Sequence, residues 1–243
     1  MKIIDADFWC GLRRVMGFFV VVCLIVPIIV LLPNESARRY LAHLTARLAI
    51  RLAGYSFQVI GIETLPPGPC IAVANHASYL DGILLTAALP ARFAFVIKDG
   101  MASTPLVSLL LRRLGSAFVN RDNAHSGSRD TRRIFKQAQD GHSMMFFPEG
   151  TIHRQPGLHE FKLGAFLIAA RLNLPVVPIT LQGVRLALPD GSWWPKAAQL
   201  TVQIHPFVSP TGSKRVDAGL LHDAARQAVL TCLNEPDLEE KPS

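Results

Sequence analysis

Between Val15 and Pro33 the chain carries no charged residue, and nearly every position is large and apolar, from Phe18 and Phe19 through Ile28, Ile29 and Leu32. A helix that crosses a bilayer needs roughly 20 such residues, so this run is just long enough to serve as a membrane anchor. A cleaved signal peptide fits poorly, because Pro33, Asn34 and Glu35 follow Leu32 where a small-residue cleavage site would be needed. A single span and a shallow hairpin both remain. Pro27 lies inside the run and favours a break. Arg13 and Arg14 precede the run and Arg38 and Arg39 follow it. Keeping both basic flanks on the cytoplasmic side favours a monotopic hairpin over a span.

The next segment, 36–53, reads as a helix with Leu41, Leu44, Leu48 and Leu52 on one stripe. Arg39, His43, Arg47 and Arg51 form a neighbouring stripe. Two readings are open: a helix lying on an anionic lipid surface, or one packed on a core with a solvated basic face. The net charge of +7 and a 50% share of hydrophobic residues suit an anionic, lipidic partner. Nucleic acid is disfavoured, since no aromatic-basic stacking motif accompanies the charge. Cys10, Cys23, Cys70 and Cys232 are too scattered for a disulfide scaffold or a zinc site, and a reducing cytosolic face fits them.

After the break at Leu65-Pro66-Pro67-Gly68-Pro69, short apolar runs alternate with helical patterns. The expected strands are Phe57–Ile60, Cys70–Ala74, Phe93–Ile97, Ala117–Val119, Met144–Phe147, Val176–Leu181 and Leu200–His205. The expected helices cover about 79–89, 104–113, 128–140, 161–172 and 217–233. This alternation predicts an α/β fold, a sheet flanked by helices. The acidic stretch 235–243 is expected to be a disordered tail.

Three polar clusters stand directly after predicted strands. In Asn75-His76-Ala77-Ser78-Tyr79-Leu80-Asp81, a histidine is followed by a carboxylate five residues on. An alcohol becomes a good nucleophile when imidazole removes its proton, and an aspartate on the other ring nitrogen fixes the tautomer. Ser78 to Asp81 also reads as a capping box opening the next helix, which accounts for Asp81 but not for an exposed Asn75-His76 pair. The second cluster ends in Arg121, whose planar fork suits a phosphate or an ion pair with Asp122 or Asp130. The third, Phe147-Pro148-Glu149-Gly150-Thr151, is a turn that would point Glu149 and backbone amides into the same mouth.

Together these clusters resemble the PlsC-type glycerolipid acyltransferases, the 1-acylglycerol-3-phosphate acyltransferases. Asn75, His76 and Asp81 look like the family's NHxxxxD motif. Gly115, Phe118 and Arg121 look like GxxFxxR, residues 147–151 like FPEGT, and Val177-Pro178-Ile179 like the fourth motif. The resemblance covers about residues 55–210, and FPEGT some 70 residues after NHxxxxD makes it highly specific. It departs after Thr151, where Ile152-His153-Arg154 stands in place of Arg-Ser. Phe161-Lys162-Leu163-Gly164-Ala165-Phe166 is similar to a further family segment.

The resemblance implies a mixed sheet flanked by helices over 55–234, with 1–54 as membrane anchor. It implies transfer of an acyl group from acyl-CoA or acyl-carrier protein, as co-substrate, to the sn-2 hydroxyl of 1-acylglycerol-3-phosphate. His76 and Asp81 would be catalytic. Asn75, Arg121, Glu149, Gly150, Thr151 and Lys162 would bind substrate, with no metal and no other cofactor. Membrane lipids would be partners, and the inner membrane's cytoplasmic face the location. Other lysolipids such as lyso-ornithine lipid, a non-catalytic lipid-binding role, and lysolipid hydrolysis are the alternatives. The absence of G-x-S-x-G favours direct transfer without an acyl-enzyme.

Overall fold

β1 (Phe57–Ile60), β2 (Ile71–Ala74), β3 (Phe93–Lys98), β4 (Ala117–Val119), β5 (Ser143–Phe146), β6 (Val176–Gln182) and β7 (Leu200–Ile204) form one seven-stranded sheet. The strand order is β1-β7-β6-β2-β5-β3-β4. All neighbours are parallel except β6 and β7, so the sheet is mixed, as expected. The computed structural model describes residues 6–98, 105–119, 124–192, 194–212 and 214–239. Each strand lies within a residue of the bounds read from the apolar runs.

β2 shows why the central strands are continuously apolar: all four of its residues are buried. Ala72 and Ala74 pack on the side of α2 (Glu35–Leu52) and α3 (Leu80–Ala88). Ile71 and Val73 pack on the other side, against α5 (Ala124–Gln139), α6 (Gly164–Leu172) and α8 (Lys214–Cys232). A strand covered on both faces has no polar side to show. α4 (Pro105–Arg113) and the four-residue α7 (Val184–Ala187) complete the helices. α7 is too short to leave a periodic signal. The predicted helix ends at Gly141 and Asn173 are both left-handed, with φ of 92° and 53°.

The apolar run does not fold back on itself at Pro27. α1 (Ala6–Leu31) continues through it, and the chain reverses at residues 32–34, where Asn34 caps α2 by accepting from the Ala37 N–H at 3.0 Å. Packing along α2 offsets the hydrogen bond lost at Pro27. A Cβ on Gly17 would stand 3.1 Å from the Leu52 backbone, which marks how closely the two helices approach. Both ends of α1 are tied to the α/β unit. Arg14 lies over the Tyr55 ring at 5.3 Å, and Arg113 donates to the carbonyls of Val30 and Leu32 at 2.8 and 2.9 Å. Gly11–Leu31 is long and apolar enough to cross a membrane by length and composition.

The leucine stripe of α2 faces outward, while Ala42, Ala46, Ala49 and Ile50 pack inward. Leu44, Leu48 and Leu52 are exposed, as are Phe18, Phe19, Leu24 and Ile28 of α1 and Leu106 and Leu109 of α4. An apolar surface shared by three helices is more than scattered exposed leucines.

The acidic tail is ordered through Glu239, against expectation. The Glu235 carboxylate meets Arg185 Nε at 3.0 Å and accepts from the Gly157 N–H at 2.7 Å. Asp237 pairs with Arg226, and Leu158 bridges to Asp237. Among the described residues Glu235, Asp237 and Glu239 each meet an arginine of α7 or α8. Glu235→Ala is expected to cost about 2 kcal/mol, since it removes charge-assisted bonds to a half-buried guanidinium. That corresponds to a thermal midpoint lowered by about 4–8 °C. A midpoint within about 1 °C of the wild type would mean that the tail contributes nothing.

Candidate active site

β2, β5 and β6 are adjacent and parallel, so the segments leaving their C-terminal ends converge on one edge of the sheet. That edge is where open α/β sheets place their ligands. His76 follows β2, Glu149 follows β5 and Arg185 follows β6. His76 Nδ1 lies 2.8 Å from Asp81 Oδ2. A carboxylate only accepts, so Nδ1 carries the proton and Nε2 the lone pair. The same Asp81 oxygen accepts from the Ala77 and Ser78 N–H groups at 2.7 and 3.0 Å. Asp81, in the first turn of α3, thus ties down the loop that leads into the helix and orients the ring at once. Its side chain is fully buried, whereas 20% of the His76 side chain is exposed. Phe147 stacks on the imidazole with centroids 4.1 Å apart and an interplanar angle of 17°, fixing the ring plane.

Glu149 does not face the mouth. It is 4% exposed, and its two oxygens accept from the His76 N–H at 2.6 Å and the His159 N–H at 3.2 Å. Burial above all, with the nearby Asp81 charge, raises its pKa to about 7, against the pull of those two hydrogen bonds. The side chain expected to contact substrate is thus a brace behind His76: the parallel β2–β5 pairing sets this carboxylate under the His76 backbone.

Asn75 is also buried rather than exposed. Its amide donates to Leu181 O at 3.0 Å and accepts from Leu181 N at 2.7 Å, clamping the end of β2 to β6. Gly150 is left-handed at φ 83°, and its N–H closes the turn onto Phe147 O at 3.0 Å, so that amide is already used. Thr151 and Lys162 are exposed. Arg121 lies outside the described residues. The sequence reading missed Phe147 as a wall for the ring, although it stands within FPEGT, and it missed Arg185. Arg185 could have been noticed as a basic residue just past a strand end.

A family profile described as Acyltransferase matches residues 56–182, which contain Asn75, His76, Asp81, Phe147, Glu149 and Lys162 and end before Arg185. This chain belongs to the acyltransferase family. It is 32% identical over 232 residues to a chloroplastic 1-acyl-sn-glycerol-3-phosphate acyltransferase, BAT2, of Brassica napus, covering 93% of this chain and 66% of that one. It is 33% identical to the chloroplastic enzyme LPAT1 of Arabidopsis thaliana, over 76% of this chain and 53% of that one. The acyltransferase chain here thus spans between about half and two thirds of these relatives' length. The crystal structure of PlsC, the 1-acyl-sn-glycerophosphate (LPA) acyltransferase of Thermotoga maritima, superposes with a TM-score of 0.75. That match covers 91% of this chain and 95% of that one at 22% identity, so it speaks for the fold.

Proposed function

We propose that the chain is an O-acyltransferase that moves a fatty acyl group from acyl-CoA or acyl-carrier protein to the sn-2 hydroxyl of 1-acylglycerol-3-phosphate, giving phosphatidic acid. The observation that carries this reading is the His76–Asp81 pair, 2.8 Å apart at the sheet edge, with Nε2 free of any partner among the described residues. Nε2 removes the hydroxyl proton as the oxygen attacks the thioester carbonyl. The tetrahedral intermediate collapses, the C–S bond breaks, and the imidazolium returns the proton to the departing thiolate. Asp81 holds the ring and stabilises its charge in between. Thr151 and Lys162, both exposed, would contact the acceptor.

The exposed apolar surface of α1, α2 and α4 supports docking on a membrane, where acceptor and product both reside. The inner membrane's cytoplasmic face is the proposed location, with both arms of the α1–α2 hairpin in one leaflet. The names of the plant relatives and of PlsC support the choice of acceptor.

The test is an acyl-transfer assay on detergent-solubilised protein. It presents lysophosphatidic acid beside lyso-ornithine lipid and lysophosphatidylcholine, with labelled acyl-CoA or acyl-carrier protein as donor. The expected result is preferential labelling of lysophosphatidic acid. Labelling of another lysolipid would keep the mechanism and replace the acceptor; no labelled lipid would overturn the reading.

A further inference from the structure

Two imidazoles in the loop between β5 and α6 are unused by this mechanism. His153 and His159 lie face to face, with ring centroids 3.7 Å apart and planes 20° from parallel. Both are held by their backbones: Arg185 donates to His153 O at 2.6 Å, and the His159 N–H donates to Glu149 Oε2. Among the described residues the buried ring Nε2 of His159 has no hydrogen-bond partner.

The surroundings are basic. The charges of His159, Arg185, Lys162 and His76 all bear on His153. Three nearby carboxylates are committed elsewhere. Glu149 accepts from two backbone N–H groups, Glu235 holds Arg185 and Gly157, and Asp190 pairs with the exposed Arg154. Lys162 is left without a carboxylate partner among the described residues, and Glu149 links the pair to the base by accepting from the N–H groups of both His159 and His76. In the acceptor, the reacting hydroxyl and the phosphate are separated only by two carbons and an ester oxygen. An anion site must therefore stand right beside His76.

We infer that the stacked His153–His159 pair, with Lys162, holds the phosphate of the acyl acceptor. The inference rests on the reading of that acceptor as a phosphate-bearing lysolipid. It fills the place left by the missing Arg after Thr151 and by Glu149, which turns inward. A second consequence concerns protons. Burial first, and then the charges of His159, Arg185, Lys162 and His76, hold the His153 pKa below its ordinary value, which favours the neutral His153 ring while the site is empty. Two imidazolium rings at stacking distance repel; a phosphate between them and Lys162 reverses the sign of the field, and His153 takes up a proton as it binds.

The experiment compares the full-length wild type with His153→Phe, which keeps the stack and removes the ring nitrogens. Transfer to lysophosphatidic acid and to the uncharged 1-acylglycerol is measured from pH 5.5 to 8.5. In parallel, histidine NMR follows His153 of the wild type as sn-glycerol 3-phosphate is added. The expected loss falls on KM for lysophosphatidic acid, which rises about tenfold with a flattened pH dependence, while KM for 1-acylglycerol is unmoved. The NMR titration should show His153 becoming protonated on phosphate binding. An unchanged KM, an equal loss for both acceptors, or a His153 signal indifferent to glycerol phosphate would overturn the inference. If the wild type ignores lysophosphatidic acid altogether, the acceptor reading fails, and the NMR titration still decides the phosphate site.

Discussion

His76→Ala is expected to lower kcat for acyl transfer by roughly 10³-fold with little loss of stability. Among the described residues the ring bonds to Asp81 and stacks on Phe147, and Asp81 Oδ2 keeps two backbone N–H donors when the ring is gone. Asp81→Asn should behave differently. Three donors converge on one Asp81 oxygen, whereas Oδ1 is buried without any partner. An asparagine therefore settles with its oxygen toward the three donors and its amide nitrogen at the empty side. The ring tautomer survives, and only the negative charge that stabilises the imidazolium is lost. The expected deficit is about 10- to 100-fold, smaller than for His76→Ala. Steady-state kinetics with thermal unfolding of each variant check both. A His76→Ala protein with more than about a tenth of wild-type kcat would remove the imidazole from the reaction.

The difference between these two residues also marks what the sequence can reveal. His76 and Asp81 are five apart and meet through a local turn, so their pairing is readable from spacing. The strands are readable for a similar reason: burial on both faces demands an unbroken apolar run, as in Ile71–Ala74. Glu149 and Asn75 are a different matter. What each does depends on which strand lies beside it, and the order β6-β2-β5 cannot be seen in the residues themselves. A polar residue at a strand end looks the same whether it turns to substrate or to a neighbour's backbone. The tail is misread likewise, because Arg185 and Arg226, which neutralise it, come from α7 and α8. In α2 the leucines catch the eye, yet the smaller alanines face inward, where α1 and α3 pack against the helix.

Glu149 yields the last expectation. Ionised in the unfolded chain above its ordinary value near 4.5, it holds its proton in the fold until about pH 7. Its folded pKa is raised, so the fold keeps its full stability below the unfolded value and loses part of it as pH climbs through 7. The loss is about 3 kcal/mol, complete a little above neutrality. Glu149→Gln cannot titrate and should remove this slope. It also presents an amide nitrogen to one of two N–H donors, so either His76 or His159 loses an acceptor and the base is less well held. The expected kcat is about 10-fold or more below wild type, a smaller loss than for His76→Ala. Denaturant midpoints at pH 5 and pH 8 decide the matter. The gap between wild type and variant should shift in the variant's favour at the higher pH, because the wild type alone must carry a buried charge there. An identical gap at both pH values would mean that Glu149 ionises as an ordinary surface carboxylate. Its place under the His76 backbone would then owe nothing to a shifted proton, and the brace would act through its hydrogen bonds alone.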